Sequence, residues 1–119
     1  MSDKVGTDPN KPLQVCLDFQ SVHVAAFRLR SKTPGGDWKV IATGTYDGQP
    51  CHDVAELLPW DSVIDYRFLY TDEEDAPFKV AIHVMQDGDD AKCSPVAVTG
   101  KGGDFGIEGE IDLVEDCEG

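Results

Sequence analysis

Short runs in which apolar and polar residues alternate, cut by clusters of glycine, proline and aspartate, constrain this chain more than any other feature. Phe78, Val80, Ile82 and Val84 alternate with Lys79, Ala81, His83 and Met85. A period of two puts every apolar side chain on one face of an extended strand. The same pattern recurs at Leu13, Val15, Leu17 and Phe19, and at Ile64, Tyr66, Phe68 and Tyr70. It recurs again at Phe105, Ile107, Ile111 and Leu113, with a shorter run at Val96 and Val98. In Val22, Val24, Phe27 and Leu29 the phase slips at Ala25-Ala26, which predicts a bulge, because one extra residue exchanges the two faces. Trp38, Val40, Ala42 and Tyr46 predict a further strand with these side chains on one face. Between Asp53 and Leu58 the pattern favours a helical turn, with Asp53 as its cap and Pro59 as its stop.

Seven or eight short strands at roughly ten-residue spacing, with no long helix to cover a parallel sheet, predict an all-β fold. The expected form is an antiparallel β-sandwich, immunoglobulin-like or jelly-roll-like. A chain of 119 residues has the size of one domain. Residues 1–12 read as a flexible, breaker-rich arm, 13–114 as the single sandwich domain and 115–119 as an acidic, frayed tail. Tyr66-x-Phe68 after Pro59 resembles the later strands of immunoglobulin-like or fibronectin-like sandwiches. The paired cysteines and core tryptophan of an antibody domain have no assigned counterpart.

Charge narrows the partners. Asp plus Glu number 23 against 10 Lys plus Arg, a formal net charge of -13. Nucleic acids and anionic membrane surfaces are bound through Lys and Arg, so neither is expected as a partner. A protein partner with a basic surface fits better. No stretch approaches the ~18 apolar residues of a membrane helix. The polar start Met1-Ser2-Asp3-Lys4 lacks the basic and apolar regions of a secretory signal, so the expected location is the cytoplasm. In that compartment Cys16, Cys51, Cys93 and Cys117 are expected as free thiols, although four cysteines allow three pairings.

Each candidate site competes with an ordinary structural role. Calcium, the one possible cofactor, would use the acidic loops, through Asp72 and Asp75 on one side of a strand and Asp87, Asp89 and Asp90 on the other. The D-x-[DN]-x-[DN]-G spacing is absent, and Asp87-Gly88 suits a tight turn equally well. His23, His83 and Cys16, with Cys51-His52, form a weaker set for zinc. Gly100-Lys101-Gly102-Gly103 has the composition of a phosphate loop without its spacing, and no G-x-S-x-G elbow occurs. Trp60, in a loop between Pro59 and Asp61, is the aromatic best placed to stack on a sugar, while Trp38 reads as a plug at one end of the sandwich. Glu108, Glu110 and Asp112 place three acids on one strand face, with Asp18 and Asp65 as possible neighbours, and like charges there call for water or a basic partner. The residues thus favour a non-enzymatic interaction module, with a carbohydrate-binding or calcium-binding module as the alternative.

Overall fold

The computed structural model describes residues 3–19, 24–44, 51–70, 77–101 and 107–117. Ten strands are present among them and no helix: β1 (Asp3–Gly6), β2 (Gln14–Phe19), β3 (Val24–Lys32), β4 (Lys39–Gly44), β5 (Cys51–Asp53), β6 (Val63–Tyr70), β7 (Pro77–Gln86), β8 (Asp89–Asp90), β9 (Val96–Lys101) and β10 (Ile107–Val114). The fold is all-β, as the alternation predicts. The strands beyond the expected seven or eight are short ones, β1, β5 and β8, whose length leaves too little room for a periodic signal.

Two sheets result. In the first the strand order is β1-β10-β6-β3-β4; in the second it is β5-β2-β7-β8, with β9 also on β7. Every pairing is antiparallel except β1 with β10. Leu29, Ile64, Phe68, Ile111 and Leu113 from the first sheet join Val15, Leu17, Val80, Ile82 and Val84 from the second in one buried cluster. Each such side chain contributes about 1.5–3 kcal/mol by leaving water, so the shared core accounts for why the alternating rows select these strands.

The expected bulge is present: the β3–β6 register shifts between Val24 and Ala26. A second shift, between Leu29 and Arg30 against β4, had no signal in the alternation. It places Ala42 opposite Leu29 and Val40 opposite Arg30, so Val40 is 61% exposed. Trp38, Val40 and Ala42 therefore do not share a face as expected. Tyr46 lies outside the described residues.

Three further expectations are corrected. Residues 53–58 form no helical turn; Asp53 ends β5 and Val54 N donates to Leu13 O, tying the segment to β2 instead. The stretch 1–12 is not a loose arm throughout, because fully buried Val5 fixes β1 against β10. Gly6 N donates to Lys92 O, and a Cβ on Gly6 would stand 3.2 Å from Lys92 Cβ, so the close approach needs a small residue. The cysteines are not free thiols: Cys16 pairs with Cys51, and Cys93 with Cys117. Cys16 and Cys51 are direct partners on β2 and β5. Cys117 holds the start of the expected frayed tail to the segment before β9. The free-thiol expectation rested on the character of the chain's start, which says nothing about how close the sulfurs come in space.

Candidate functional site

The outward face of the first sheet follows directly from its inward one. Phe27, Leu29, Tyr66 and Phe68 turn into the core, so Arg28, Arg30, Asp65 and Arg67 between them turn out. The register then builds rungs across the strands. Glu110 stands beside Asp65, which stands beside Arg30 and then Val40. Glu108 stands beside Arg67, which stands beside Arg28 and then Thr43. Lys4 neighbours Asp112, followed by Val63 and Lys32. All three arginines of the chain lie on this one face.

The middle rung is internally satisfied. Arg30 Nε donates to both Asp65 oxygens, at 3.0 and 3.2 Å, and Nη2 donates to Oδ2. The two side chains retain 25% and 13% of their exposure, so water screens the pair only in part. The Asp65 hydrogen bond raises the Arg30 pKa, against the opposing effect of burial, and Glu108 adds a smaller attraction. Trp38, turned outward by the second bulge, lies under this group: the Arg30 guanidinium carbon is 4.6 Å from the indole centroid and Lys32 Nζ is 5.7 Å away. That is the distance range of cation–π contact.

Beside this stack is a cavity of about 420 Å3 lined by Arg30, Trp38, Asp65, Glu108, Gly109 and Glu110. Gly109 stands between the two glutamates; as the cross-strand partner of Tyr66 it faces inward, where a Cβ would collide with Tyr66 Oη and ring. Glu108 and Glu110 are exposed and make no ion pair or hydrogen bond among the described residues. The groove thus combines an indole edge, one neutralised carboxylate and two unneutralised ones.

The acidic row Glu108, Glu110 and Asp112 therefore does have Asp65 as a neighbour. Asp18 lies on β2, in the other sheet. Trp60 is 40% exposed, and its Nε1 donates to Thr7 O at 2.8 Å. The neighbouring Asp61 N donates to Leu113 O, so Trp60 sits by the far end of β10 and does not line the groove.

The residues considered for calcium are separately engaged. Asp87 pairs with Lys11 at 2.7 Å. Asp87 and Gly88 both have positive φ, 56° and 81°, the requirement of a primed two-residue hairpin turn between β7 and β8. Asp90 Oδ1 lies 2.9 Å from His83 Nδ1 and accepts from Ser94 Oγ at 2.9 Å, while Ser94 Oγ accepts from Val84 N. Ser94 thus meets Asp90 and not the imidazole, so the three do not form a nucleophile–base pair. Asp89 is an exposed residue of β8. Asp72 and Asp75 lie outside the described residues. Among the described residues no three His, Cys, Asp or Glu side chains converge on a point where a metal would sit. His52 stacks on Phe27 at 5.5 Å, His23 lies outside the described residues, and the thiols of the zinc set are held in disulfides.

No protein-family model matches the chain, and neither a curated protein nor a solved structure does.

Trp38 and Arg30 were not legible as site residues. One signal was available: Arg28, Arg30 and Arg67 all occupy polar positions between core residues, which predicts that an acidic chain spends every arginine on strand faces.

Proposed function

We propose that the protein is a non-enzymatic interaction module, a β-sandwich of immunoglobulin-like or jelly-roll-like form, that takes a cationic side chain of a protein partner in the groove beside β10. The observation that carries this reading is the cavity in which Glu108 and Glu110 stand unneutralised beside Trp38. The Asp65 charge is already offset by Arg30, so the net pull on an incoming guanidinium or ammonium comes from Glu108 and Glu110. Trp38 and the Arg30 stem offer apolar area for its methylenes. The excess of acid over the whole chain adds long-range attraction for a basic partner and works against nucleic acid or an anionic membrane. The sandwich form is supported by the core that the two sheets share.

The carbohydrate alternative is less supported, since Trp60, though 40% exposed, does not line the groove. The calcium alternative is less supported because Asp87 and Asp90 already have partners. The two disulfides favour an oxidising compartment over the cytoplasm expected from the chain's start. A thiol count on the denatured, unreduced protein checks this: none is expected, and four would return the chain to a reducing compartment.

The test is a titration with an oligo-arginine peptide, read by tryptophan fluorescence. Saturable binding is expected that weakens steeply with salt, because exposed charges lose most of their attraction beyond roughly 8–10 Å at physiological ionic strength. Glu108→Gln with Glu110→Gln should remove it, while Trp60→Phe should leave it. Affinity independent of salt, or unchanged in the Glu108/Glu110 double variant, would defeat the reading.

A further inference from the structure

The rung next to the groove has a different problem. Arg28 and Arg67 are direct partners on β3 and β6. Opposite residues on one sheet face stand with Cβ atoms about 4.5–5.5 Å apart, and like charges in that position repel. Arg28 Nε is fully buried and has no hydrogen-bond partner among the described residues. Neither arginine makes an ion pair among the described residues. Glu108, beside Arg67, makes no ion pair with it, and its field acts on Arg30. Where Arg30 has a carboxylate across the strand, Arg28 has a second guanidinium, and among the described residues its buried Nε–H has no acceptor.

A cavity of about 160 Å3 lies at this rung, lined by Ala26, Phe27, Arg28, Arg67 and Leu69. Leu69, 37% exposed, is opposite Ala26 and gives the cavity an apolar wall. We propose that this is an anion site, and that its ligand is a carboxylate carried on a small apolar body. A carboxylate presents two oxygens to guanidinium forks, and half-buried Arg28 and exposed Arg67 both line the cavity. The apolar wall suits a short alkyl group. Phosphate fits less well: it carries more charge, which a chain of net charge -13 repels more strongly, and its hydration gains nothing from Leu69. The long-range repulsion of a single carboxylate is screened beyond a Debye length, whereas the contact with the two arginines is made inside it. The carboxylate can belong to a free short-chain acid or to the C-terminus of a peptide; the chemistry at the arginines is the same.

The test uses the intact protein labelled for observation of arginine Nε–H resonances. It is titrated with sodium butyrate, and with sodium chloride and sodium phosphate at matched ionic strength. A short apolar peptide is added in free-acid and in amidated form. Butyrate should shift the Arg28 and Arg67 signals saturably and leave Arg30 in place. It should also raise the melting temperature, which chloride should not. Arg67→Gln, an exposed substitution, should fold normally and weaken butyrate binding at least tenfold, with loss of the melting shift. Response to the free-acid peptide and not to the amide identifies a chain terminus as a ligand; response to butyrate alone identifies a small acid. The proposal fails if butyrate acts no differently from chloride, if Arg67→Gln binds it as the wild type does, or if phosphate binds more tightly.

Discussion

Two adjacent rungs of one sheet face solve the same electrostatic problem in opposite ways. On β3, Arg30 and Arg28 are two residues apart, point the same way and differ in what stands across the strand. Arg30 faces Asp65, and its fork, its carboxylate and the Trp38 ring form one closed unit. Arg28 faces Arg67 and has a buried Nε–H with no acceptor among the described residues. The first rung is complete within the chain; the second sets two like charges side by side. A charge on a sheet face is therefore best judged by its cross-strand partner, since the total charge of the molecule describes neither rung. The contrast also separates the two proposed sites, with the cation groove on the β10 side of Arg30 and the anion cavity at Arg28.

Asp65→Ala is the substitution with the largest expected effect. It leaves the Arg30 guanidinium partly buried without its partner and should cost about 2 kcal/mol, below the 3–5 of a fully buried pair because both side chains retain some exposure. Urea unfolding measures it, and a cost near zero would place the Arg30–Asp65 pair among ordinary surface ion pairs. Gly109→Ala forces a methyl against Tyr66 and should cost about 1–3 kcal/mol. Tyr66→Phe in that background should recover part of the loss, since the Tyr66 hydroxyl is the nearest obstruction. Lack of recovery would mean that something other than the Tyr66 hydroxyl excludes a side chain at Gly109.

Smaller effects sharpen the contrast further. Arg67→Gln removes the repulsion at the incomplete rung and should stabilise by roughly 0.2–1 kcal/mol; a loss of stability would show that Arg67 already has a favourable partner. Tyr66 supplies a pH signature. Burial, with a lesser push from Asp3, raises its pKa above the ordinary 10.0. The folded state therefore holds the proton more tightly than the unfolded one. Its stabilising contribution is complete below pH 10.0 and is lost as pH rises through the folded value. Tyr66→Phe should flatten the alkaline limb of the stability curve, and an unchanged limb would remove Tyr66 as its cause.

Much of the fold was legible because burial acts at a period of two. The rows at Val80, Ile82 and Val84, and at Ile64, Tyr66 and Phe68, turn inward as the alternation requires. The slip at Ala25-Ala26 was readable because apolar residues flank it on both sides. The slip opposite Leu29 and Arg30 was not, because Ile41 is apolar and conceals the change of face. That one irregularity moved Trp38 from an expected plug to the outer stack. Strands as short as β1 and β5 owe their place to Val5 and to the Cys16–Cys51 pairing, contacts distant in sequence that local pattern does not encode. The acidic row Glu108, Glu110 and Asp112 was visible on its strand. Its arginine neighbours depended on strand order, which follows from packing.

The most direct test is a pair of double-mutant cycles, Arg30/Asp65 and Arg28/Arg67, read by urea unfolding with and without sodium butyrate. The account predicts couplings of opposite sign: favourable for Arg30 with Asp65 and indifferent to butyrate, unfavourable for Arg28 with Arg67 and reduced or reversed when butyrate is present. Couplings of the same sign, or an Arg28–Arg67 coupling that butyrate leaves untouched, would contradict it.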